Sequence, residues 1–387
     1  MANLFYGFRN CAAGSSKNKG NKTFYKHMDG LSCYWDINKE DYLPIPTSTK
    51  ELHFANLKYN GSLIHDHWSA SMVDLGDEVA GVDLHSVLQA DLNPIDGSIL
   101  QTLYHAQNWV KENNYKGLVI SSDSVNFCAG ANLNLILKSA YRKDWDGLNL
   151  TIKTMQDILQ SLRYAPFPVV AAPCGLVLGG GYEVIAACDR IVAAGESYIG
   201  LVEVGVGLIP GAGGNLRMIS NLNRKIKTAL PGGFPIIQKA FETIGFAKVA
   251  TSAKEAKAIG YLQNDDRIVV NRDHILSEAK NEVISMVDDY AVPEMESFKL
   301  PGKSGRLVLD STLKGFVKSG KISEHDSLIG KKLGYVLTGG AKGGLFSAVD
   351  EQYLLDIERE AFISLCGEQK TIDRIEYMLK RGKPLRN

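Results

Sequence analysis

From Ala70 onward, apolar and polar positions follow two alternating patterns. Continuous apolar runs, typical of buried parallel strands, occupy 116–122, 167–173 and 190–194. Apolar residues at helical spacing occupy 99–114 and 155–165 and recur from Tyr182. Two further short strands are predicted over 71–85, around Gly76-Asp77. The alternation of strands and helices predicts an α/β fold with largely parallel strands.

The flanking segments follow other patterns. Residues 10–23 are small, polar and glycine-containing, which predicts a flexible linker or tail. Residues 24–36 place Asp29-Gly30 between two aromatic-rich pieces, which predicts a β-hairpin. Residues 37–66 show no clear period and are interpreted as a connector. After about residue 215 the chain is predicted to be mainly helical, with helices over 252–262, 274–290, 323–337 and 350–366.

The composition is that of an ordinary globular protein. The chain has 387 residues, 45% of them hydrophobic and 22% charged, with a formal net charge of zero. This balance gives no general electrostatic reason to expect nucleic acid or an anionic membrane as a partner. No long uncharged run suits a membrane span, and the N-terminus lacks the pattern of a secretory signal. The 6 cysteines are scattered without a CxxC pair, which predicts reduced cysteines in a cytoplasmic protein and no metal site.

The glycine-rich stretches do not match nucleotide-binding motifs. No complete P-loop motif is present. A dinucleotide fingerprint needs GxGxxG, but 205–210 ends in Pro210 and 211–216 ends in Leu216. We therefore expect no nicotinamide cofactor.

Two loops of small residues are candidates for an oxyanion site. Gly179–Gly181 precede a predicted helix, and Ala129–Ala131 follow the predicted strand 116–122. Small residues let backbone N–H groups approach a substrate carbonyl closely, and two such donors can hold a carbonyl that becomes enolate-like. The alternative is that both stretches are ordinary tight turns between a strand and a helix.

Two glutamates accompany these loops. Glu183 follows the three glycines, and Glu203 lies among apolar residues and glycines. A carboxyl group in such surroundings tends to have a raised pKa, which suits proton transfer near neutral pH. The alternatives are a surface position on a helix for Glu183 and a salt bridge to a basic residue such as Arg190 for Glu203.

Three runs together resemble the crotonase, or enoyl-CoA hydratase/isomerase, superfamily. They are NFCAGANL (126–133), GLVLGGGYEVIAACDRIVAA (175–194) and YIGLVEVGVGLIPGAGGNLR (198–217). The resemblance covers roughly Ser69 to Val270 and implies a crotonase-like (ββα)n spiral core. More specifically, the chain is similar to the C-terminal hydratase part of a fused 3-hydroxyacyl-CoA dehydrogenase/enoyl-CoA hydratase. On this basis residues 1–66 are a linker and hairpin left from a dehydrogenase part, 67–270 the core and 271–387 a C-terminal helical region.

The resemblance implies roles for individual residues. Glu183 and Glu203 would be the catalytic acids of a hydratase that converts a trans-2-enoyl-CoA to a 3-hydroxyacyl-CoA in fatty acid β-oxidation, with Glu203 delivering the proton to C2. The N–H groups of Ala129 and Gly180 would form the oxyanion hole. No metal or redox cofactor would be needed, because coenzyme A is part of the substrate. Further contacts to the CoA substrate would come from Ala131, Asn132, Leu133, Gly179 and Gly211.

The resemblance also leaves alternatives open. Asn132 stands where the family usually has an aspartate, and Val202 where it usually has a proline before the second glutamate. An enoyl-CoA isomerase would need one proton-shuttling carboxylate, and a non-catalytic CoA-binding or assembly subunit would need none. Dehydrogenase activity is expected to be absent, with a separate dehydrogenase chain as a candidate partner. The family usually forms trimers or pairs of trimers, so a homotrimer or hexamer is expected. His27, His53, His65 and His67 are interpreted as surface or hairpin residues.

Overall fold

The N-terminal part of the chain forms a small antiparallel sheet. The structure is a computed structural model that describes residues 23–28, 31–46, 48, 50–87, 89–226 and 233–387. Strands β1 (Tyr25–Met28), β2 (Leu31–Asp36) and β3 (Asp41–Pro44) pair in that order. Pairing of β1 with β2 confirms the predicted hairpin, although its turn, Asp29 and Gly30, lies outside the described residues. So does the predicted linker, apart from Thr23.

A sheet of seven strands forms the centre of the molecule. Its order is β13-β10-β8-β7-β6-β5-β4, with parallel pairing from β13 to β6 and antiparallel pairing from β6 to β4. This confirms the predicted α/β class. The seven strands are β4 (Leu63–Asp66), β5 (Ala70–Asp74), β6 (Val79–Leu84), β7 (Gly117–Ser121), β8 (Val169–Ala172), β10 (Arg190–Ala194) and β13 (Arg267–Val269).

Both faces of this sheet are covered, which explains the continuous apolar runs. Successive side chains of a strand point to opposite faces. In β7, Leu118 and Ile120 join one buried cluster, whereas Val119 joins the other. Helices α2 (Gly97–Glu112) and α4 (Trp145–Arg163) contribute to the first cluster, and α9 (Ile275–Met286) with Phe54 of α1 (Phe54–Tyr59) contributes to the second.

A second, three-stranded sheet gives the core its repeating unit. It contains β9 (Leu176–Leu178), β11 (Tyr198–Gly200) and β12 (Val249–Ala250). Strand β8 enters the large sheet, β9 enters the small one, and helix α5 (Gly180–Ala186) follows. Strands β10 and β11 repeat this course before a 3-10 helix (Glu203–Val206) and helix α6 (Gly214–Lys225). These successive ββα units are the predicted spiral core.

The remaining helices complete the structure after the spiral. The helix predicted over 252–262 is α8 (Ala253–Ile259), which ends before the left-handed Gly260. Helix α9 lies in the predicted C-terminal region yet packs on the large sheet, and the proposed domain boundaries stay predictions. Strands β14 (Ser297–Lys299) and β15 (Ala348–Asp350) pair antiparallel. The other helices are α3 (Leu133–Arg142), α7 (Phe234–Gly245), α8 (Ala253–Ile259), α10 (Gly302–Lys318), α11 (Glu324–Leu337), α12 (Glu351–Cys366) and α13 (Gln369–Arg381).

Residues 37–66, interpreted as a connector, contain short structural elements that no pattern predicted. This segment contains β3, α1 and β4. Strand β4 pairs with β5 at the edge of the large sheet, and Phe54 is fully buried on that sheet. The segment shows no clear period because its elements are only four to six residues long, too short for a pattern to repeat.

Candidate active site

The three consecutive glycines lie where two backbone segments come into contact. Helix α5 begins at Gly180. A Cβ on Gly181 would lie 2.5 Å from the Cys128 carbonyl oxygen, closer than side chains pack in proteins. A Cβ on Gly180 would lie 3.5 Å from the backbone nitrogen of Ala131. Glycine is therefore required for the close approach of this turn to the loop that follows β7.

Backbone N–H groups are available in both segments. The N–H groups of Ala131 and Gly180 have no hydrogen-bond acceptor within the described part of the chain, whereas those of Gly179 and Asn132 are engaged. Gly179 N–H donates to Gly200 O at 2.8 Å, and Asn132 N–H donates to Ile95 O at 3.1 Å. An unpaired N–H beside another is the arrangement that can bind a carbonyl oxygen.

The prediction that Ala129 supplies an oxyanion donor is wrong. Its N–H donates to the carbonyl oxygen of Leu92 at 2.7 Å, so it is already used within the protein. Gly130 has φ 108°, a left-handed conformation that reorients the peptide after it. The available donor beside Gly180 is therefore the N–H of Ala131, a residue predicted from the sequence only as a contact to the CoA substrate.

Glu183 is held by backbone amides of another turn. Its side chain is buried, and Oε1 accepts hydrogen bonds from the N–H groups of Ala212 and Gly214, both at 2.8 Å. Burial raises the pKa of Glu183 to about 7, although the amides of Ala212, Gly214 and Gly211 act to lower it. The alternative of a surface position is excluded, and the carboxyl group can exchange a proton near neutral pH.

Glu203 lies beside the turn at Gly179, and one of its carboxyl oxygens lacks a hydrogen-bond partner among the described residues. A Cβ on Gly179 would lie 3.1 Å from Glu203 Oε1. Glu203 Oε2 is buried and has no hydrogen-bond partner among the described residues. Burial, followed by the neighbouring Glu183, raises the pKa of Glu203 well above its usual value. Because protonation removes the buried charge, this group favours the acid form.

The proposed salt bridge between Glu203 and Arg190 is not formed. Arg190 Nη1 lies 2.6 Å from Asp265 Oδ2, and its Nε lies 4.0 Å from Glu282 Oε1. Arg190 therefore does not neutralise Glu203, whose pKa is raised by burial and then by the neighbouring Glu183.

A third buried carboxyl group, Glu358, was not found by sequence reasoning. It belongs to helix α12 and is fully buried. Its Oε1 accepts from Gly213 N–H at 2.5 Å, and Oε2 accepts from Asn215 N–H at 3.0 Å and Asn215 Nδ2 at 2.8 Å. One signal was present in the sequence: Glu358 interrupts the apolar stripe of its helix, whose other members include Leu354, Leu355, Ala361, Phe362 and Leu365.

The remaining predicted contacts to CoA have defined places in the structure. Asn132 caps helix α3 by accepting from Asn134 N–H at 3.1 Å, and Leu133 is the first residue of that helix. This capping explains why asparagine can replace aspartate there, since both residues cap helices well. Gly211 O accepts from Gln156 Nε2 at 2.8 Å. The CoA-binding roles of these residues, and of Gly179, stay predictions.

Other predictions concern groups away from this site. His53 lies 4.0 Å from Asp123, His65 contacts the ring of His105, and His67 lies 3.0 Å from Gln101. The described residues contain no group of three or more His, Cys, Asp or Glu side chains that could hold a metal ion. Within the same residues, no helix is both long and apolar enough to cross a membrane.

Comparisons with known sequences concern this same region. Residues 78–230 match the family described as enoyl-CoA hydratase/isomerase. The chain is 42% identical over 370 residues to a "Probable 3-hydroxyacyl-CoA dehydrogenase" of Bacillus subtilis (strain 168), covering 95% of this chain and 45% of that protein. It is 32% identical over 174 residues to the mitochondrial methylglutaconyl-CoA hydratase of Rattus norvegicus, covering 44% of this chain and 50% of that protein. The chain thus spans half or less of the length of these relatives.

The fold also matches solved structures. The crystal structure of enoyl-CoA hydratase from Bacillus halodurans aligns with a TM-score of 0.54 at 15% sequence identity, covering 80% of this chain and 99% of that one. At this identity the likeness shows the fold alone, and it agrees with the ββα units described above.

Proposed function

Because residues 78–230 match the enoyl-CoA hydratase/isomerase family, we propose that this chain adds water to a trans-2-enoyl-CoA to give a 3-hydroxyacyl-CoA, a step of fatty acid β-oxidation. Enzymes of this family act on acyl-CoA thioesters. The observation that carries the proposal is the contrast between two buried carboxyl groups. Glu183 is held by backbone N–H groups, whereas Glu203 Oε2 has no partner among the described residues.

The two available amides would bind the thioester carbonyl oxygen. Donors from Ala131 and Gly180 would stabilise the negative charge that develops there when C3 is attacked. Such a donor is worth about 3 kcal/mol of barrier in enzymes where one has been removed. The same polarisation makes C3 of the conjugated thioester electrophilic.

The two glutamates would then move protons in opposite directions. Backbone N–H groups stabilise the charged form of Glu183, so it is the group suited to accept a proton from water. The Glu203 carboxyl favours the protonated form and would donate its proton to C2. The hydroxyl oxygen of water forms the bond to C3, the C2–C3 double bond becomes single, and a proton passing from Glu183 to Glu203 restores the site.

The loss of absorbance of the conjugated thioester tests this proposal. When crotonyl-CoA is mixed with the protein, hydration bleaches the enoyl thioester band. We expect Glu203→Gln to lower kcat by about 10³-fold, because the amide cannot supply the proton, while CoA binding persists. Glu196→Gln is the matched control, because Glu196 is an exposed residue between β10 and β11.

Two results would contradict the assignment. Normal hydration by Glu203→Gln would show that Glu203 is not the proton donor. No bleaching by the wild-type protein would remove the hydratase assignment itself. Migration of a 3-enoyl double bond would then favour the isomerase, whereas binding of CoA without turnover would favour a non-catalytic subunit.

Partners and a second activity stay predictions. We expect a homotrimer or a pair of trimers, and a separate dehydrogenase chain is a candidate partner. The relative from Bacillus subtilis is named a dehydrogenase, but this chain covers 45% of its length. We assign only the hydratase step to the residues described here.

A further inference from the structure

The turn between the 3-10 helix and helix α6 holds two acids on alternate amides. The N–H groups of Ala212 and Gly214 donate to Glu183, each at 2.8 Å. The intervening N–H of Gly213 donates to Glu358 at 2.5 Å, and the N–H of Asn215 donates to it at 3.0 Å. Four successive amides therefore point alternately to two carboxyl groups, so neither acid can shift without moving the turn that holds the other.

The two acids come from distant parts of the chain. Glu183 belongs to α5 in the spiral core, and Glu358 belongs to α12 in the C-terminal helical region. Gln156 of α4 also connects the two regions that carry these acids. Its Nε2 donates to Gly211 O at 2.8 Å and to Leu355 O at 2.9 Å. One side chain thus ties the start of the turn to the helix that carries Glu358.

The acids also act on each other electrostatically. Burial, followed by the nearby Glu183 carboxyl, raises the pKa of Glu358 to about 8. Glu358 in turn is among the causes that raise the pKa of Glu203. Three buried carboxyl groups so close together cannot all be ionised, so they titrate as a coupled set.

The arginines on the surrounding helices are engaged with other acids. Arg359 Nη2, on the same helix as Glu358, donates to Asp356 Oδ1 at 2.8 Å. Arg217 Nη1, on α6, lies 3.7 Å from Glu351 Oε2. Among the described residues, no lysine or arginine forms an ion pair with Glu358, so only backbone and side-chain amides stabilise its charge.

We propose that Glu358 is a positioning residue for Glu183, acting through the turn Ala212–Asn215, so that the C-terminal helix α12 supplies a required part of the active site. This inference rests on the proposed function, because the position of Glu183 matters for the attack of water. Glu358 itself contacts amides of the turn.

The test compares two glutamate-to-glutamine changes on one helix. Glu358→Gln places an amide nitrogen where the turn offers N–H donors, which displaces the turn. Glu360→Gln is the matched control: Glu360 lies on the same helix α12 but is exposed. Both variants are assayed with crotonyl-CoA from pH 5 to 9, and their thermal midpoints are recorded.

We expect kcat of Glu358→Gln to fall about 100-fold, since small misplacements of a reacting group have effects of this size, with KM within about threefold. The acidic limb of its kcat/KM profile moves to higher pH, because the displaced turn no longer donates the amide hydrogen bonds that lower the pKa of Glu183. Glu360→Gln keeps kcat within about threefold and leaves the acidic limb unmoved. Equal kcat and equal limbs in the two variants would overturn the inference.

Two further measurements keep the inference testable. If Glu358→Gln does not fold, Glu358→Asp keeps the charge and shortens the side chain: a kcat about tenfold lower supports the inference, and wild-type kcat overturns it. Infrared titration of the protonated-carboxyl band needs no turnover. If the titration of Glu183 shifts in Glu358→Gln but the wild-type protein does not hydrate crotonyl-CoA, the link between Glu358 and Glu183 stands and the proposed function fails. No shift in an active enzyme would overturn the inference alone.

Discussion

Two glycine turns at the candidate site are built alike and used differently. In each, a glycine with positive φ precedes a glycine that begins a helix. Gly179 precedes Gly180, the first residue of α5, and Gly213 precedes Gly214, the first residue of α6. The N–H of Gly180 has no acceptor among the described residues, whereas the N–H of Gly214 donates to Glu183 Oε1.

The difference separates two uses of the same backbone geometry. Amides at the start of a helix lack partners within that helix. In the turn at Gly213 they are taken up by the protein's own carboxyl groups, which fixes the acids in place. In the turn at Gly180, the N–H of Gly180 has no acceptor among the described residues, and we propose that a ligand binds it. The glycines alone do not tell whether a turn binds a ligand or holds a side chain of the protein. The hydrogen-bond acceptors near its N–H groups distinguish the two cases.

The largest expected effect comes from removing the free amide. Gly180→Pro deletes the N–H at the first helical position, where proline is tolerated, and should lower kcat by about 10²–10³-fold. Gly180→Ala is the steric control, because it keeps the N–H and adds a Cβ 3.0 Å from Ile95 Cδ1. Steady-state hydration of crotonyl-CoA measures both.

The corresponding change in the other turn should act on stability as well. In Gly214→Pro the added Cβ would lie 2.8 Å from Pro210 Cβ, and the bond to Glu183 is lost. If Gly180→Pro and Gly214→Pro lower the thermal midpoint equally, the distinction between the two turns fails.

An intermediate effect is expected from pH. In the proposed mechanism, activating the water needs the charged form of Glu183, whose pKa burial raises to about 7. We therefore expect kcat/KM to rise about tenfold per pH unit as pH approaches 7 from below, then to level. Because Glu203 would act in its protonated form and its pKa is raised, activity should fall again at higher pH. A flat profile between pH 5 and 7 would show that Glu183 is not the base.

The smallest expected effect concerns stability. Folding raises the pKa of Glu203 above its value in the unfolded chain. The protonated Glu203 therefore stabilises the folded protein fully at pH values below the pKa of the unfolded chain. This stabilisation is lost as the pH rises toward the pKa of Glu203 in the folded protein. The loss is about 1.4 kcal/mol per pH unit within that window. Glu203→Gln carries no such penalty, so its thermal midpoint should exceed that of the wild type by about 3 °C or more at pH 8, and by less at pH 5. Glu196→Gln should show no such pH-dependent difference.

Much of the fold could be predicted from the sequence, because the strands of a sheet buried on both faces are continuous apolar runs. The run at 116–122 became β7, and those at 167–173 and 190–194 became β8 and β10. The short elements between residues 37 and 66 escaped prediction, since their places depend on contacts with β5 and with the large sheet.

The site was predictable in its acids and less so in its amides. Glu183 stood out as a carboxyl group in an apolar, glycine-containing run. Which of Ala129 and Ala131 has an available N–H depends on the left-handed conformation of Gly130. Glycine adopts positive and negative φ about equally readily, so the sequence does not determine this angle. Glu358 lies far along the chain from Glu183, so only the folded structure brings the two acids onto one turn.

The amides along Ala212–Asn215 restrict the length of this segment. Gly213 has a positive φ and Gly214 begins a helix, so each N–H direction depends on its place in this turn. Inserting or deleting residues there would turn the N–H groups away from the two acids that they now face. We therefore expect the length of this segment to be constant wherever both acids are kept.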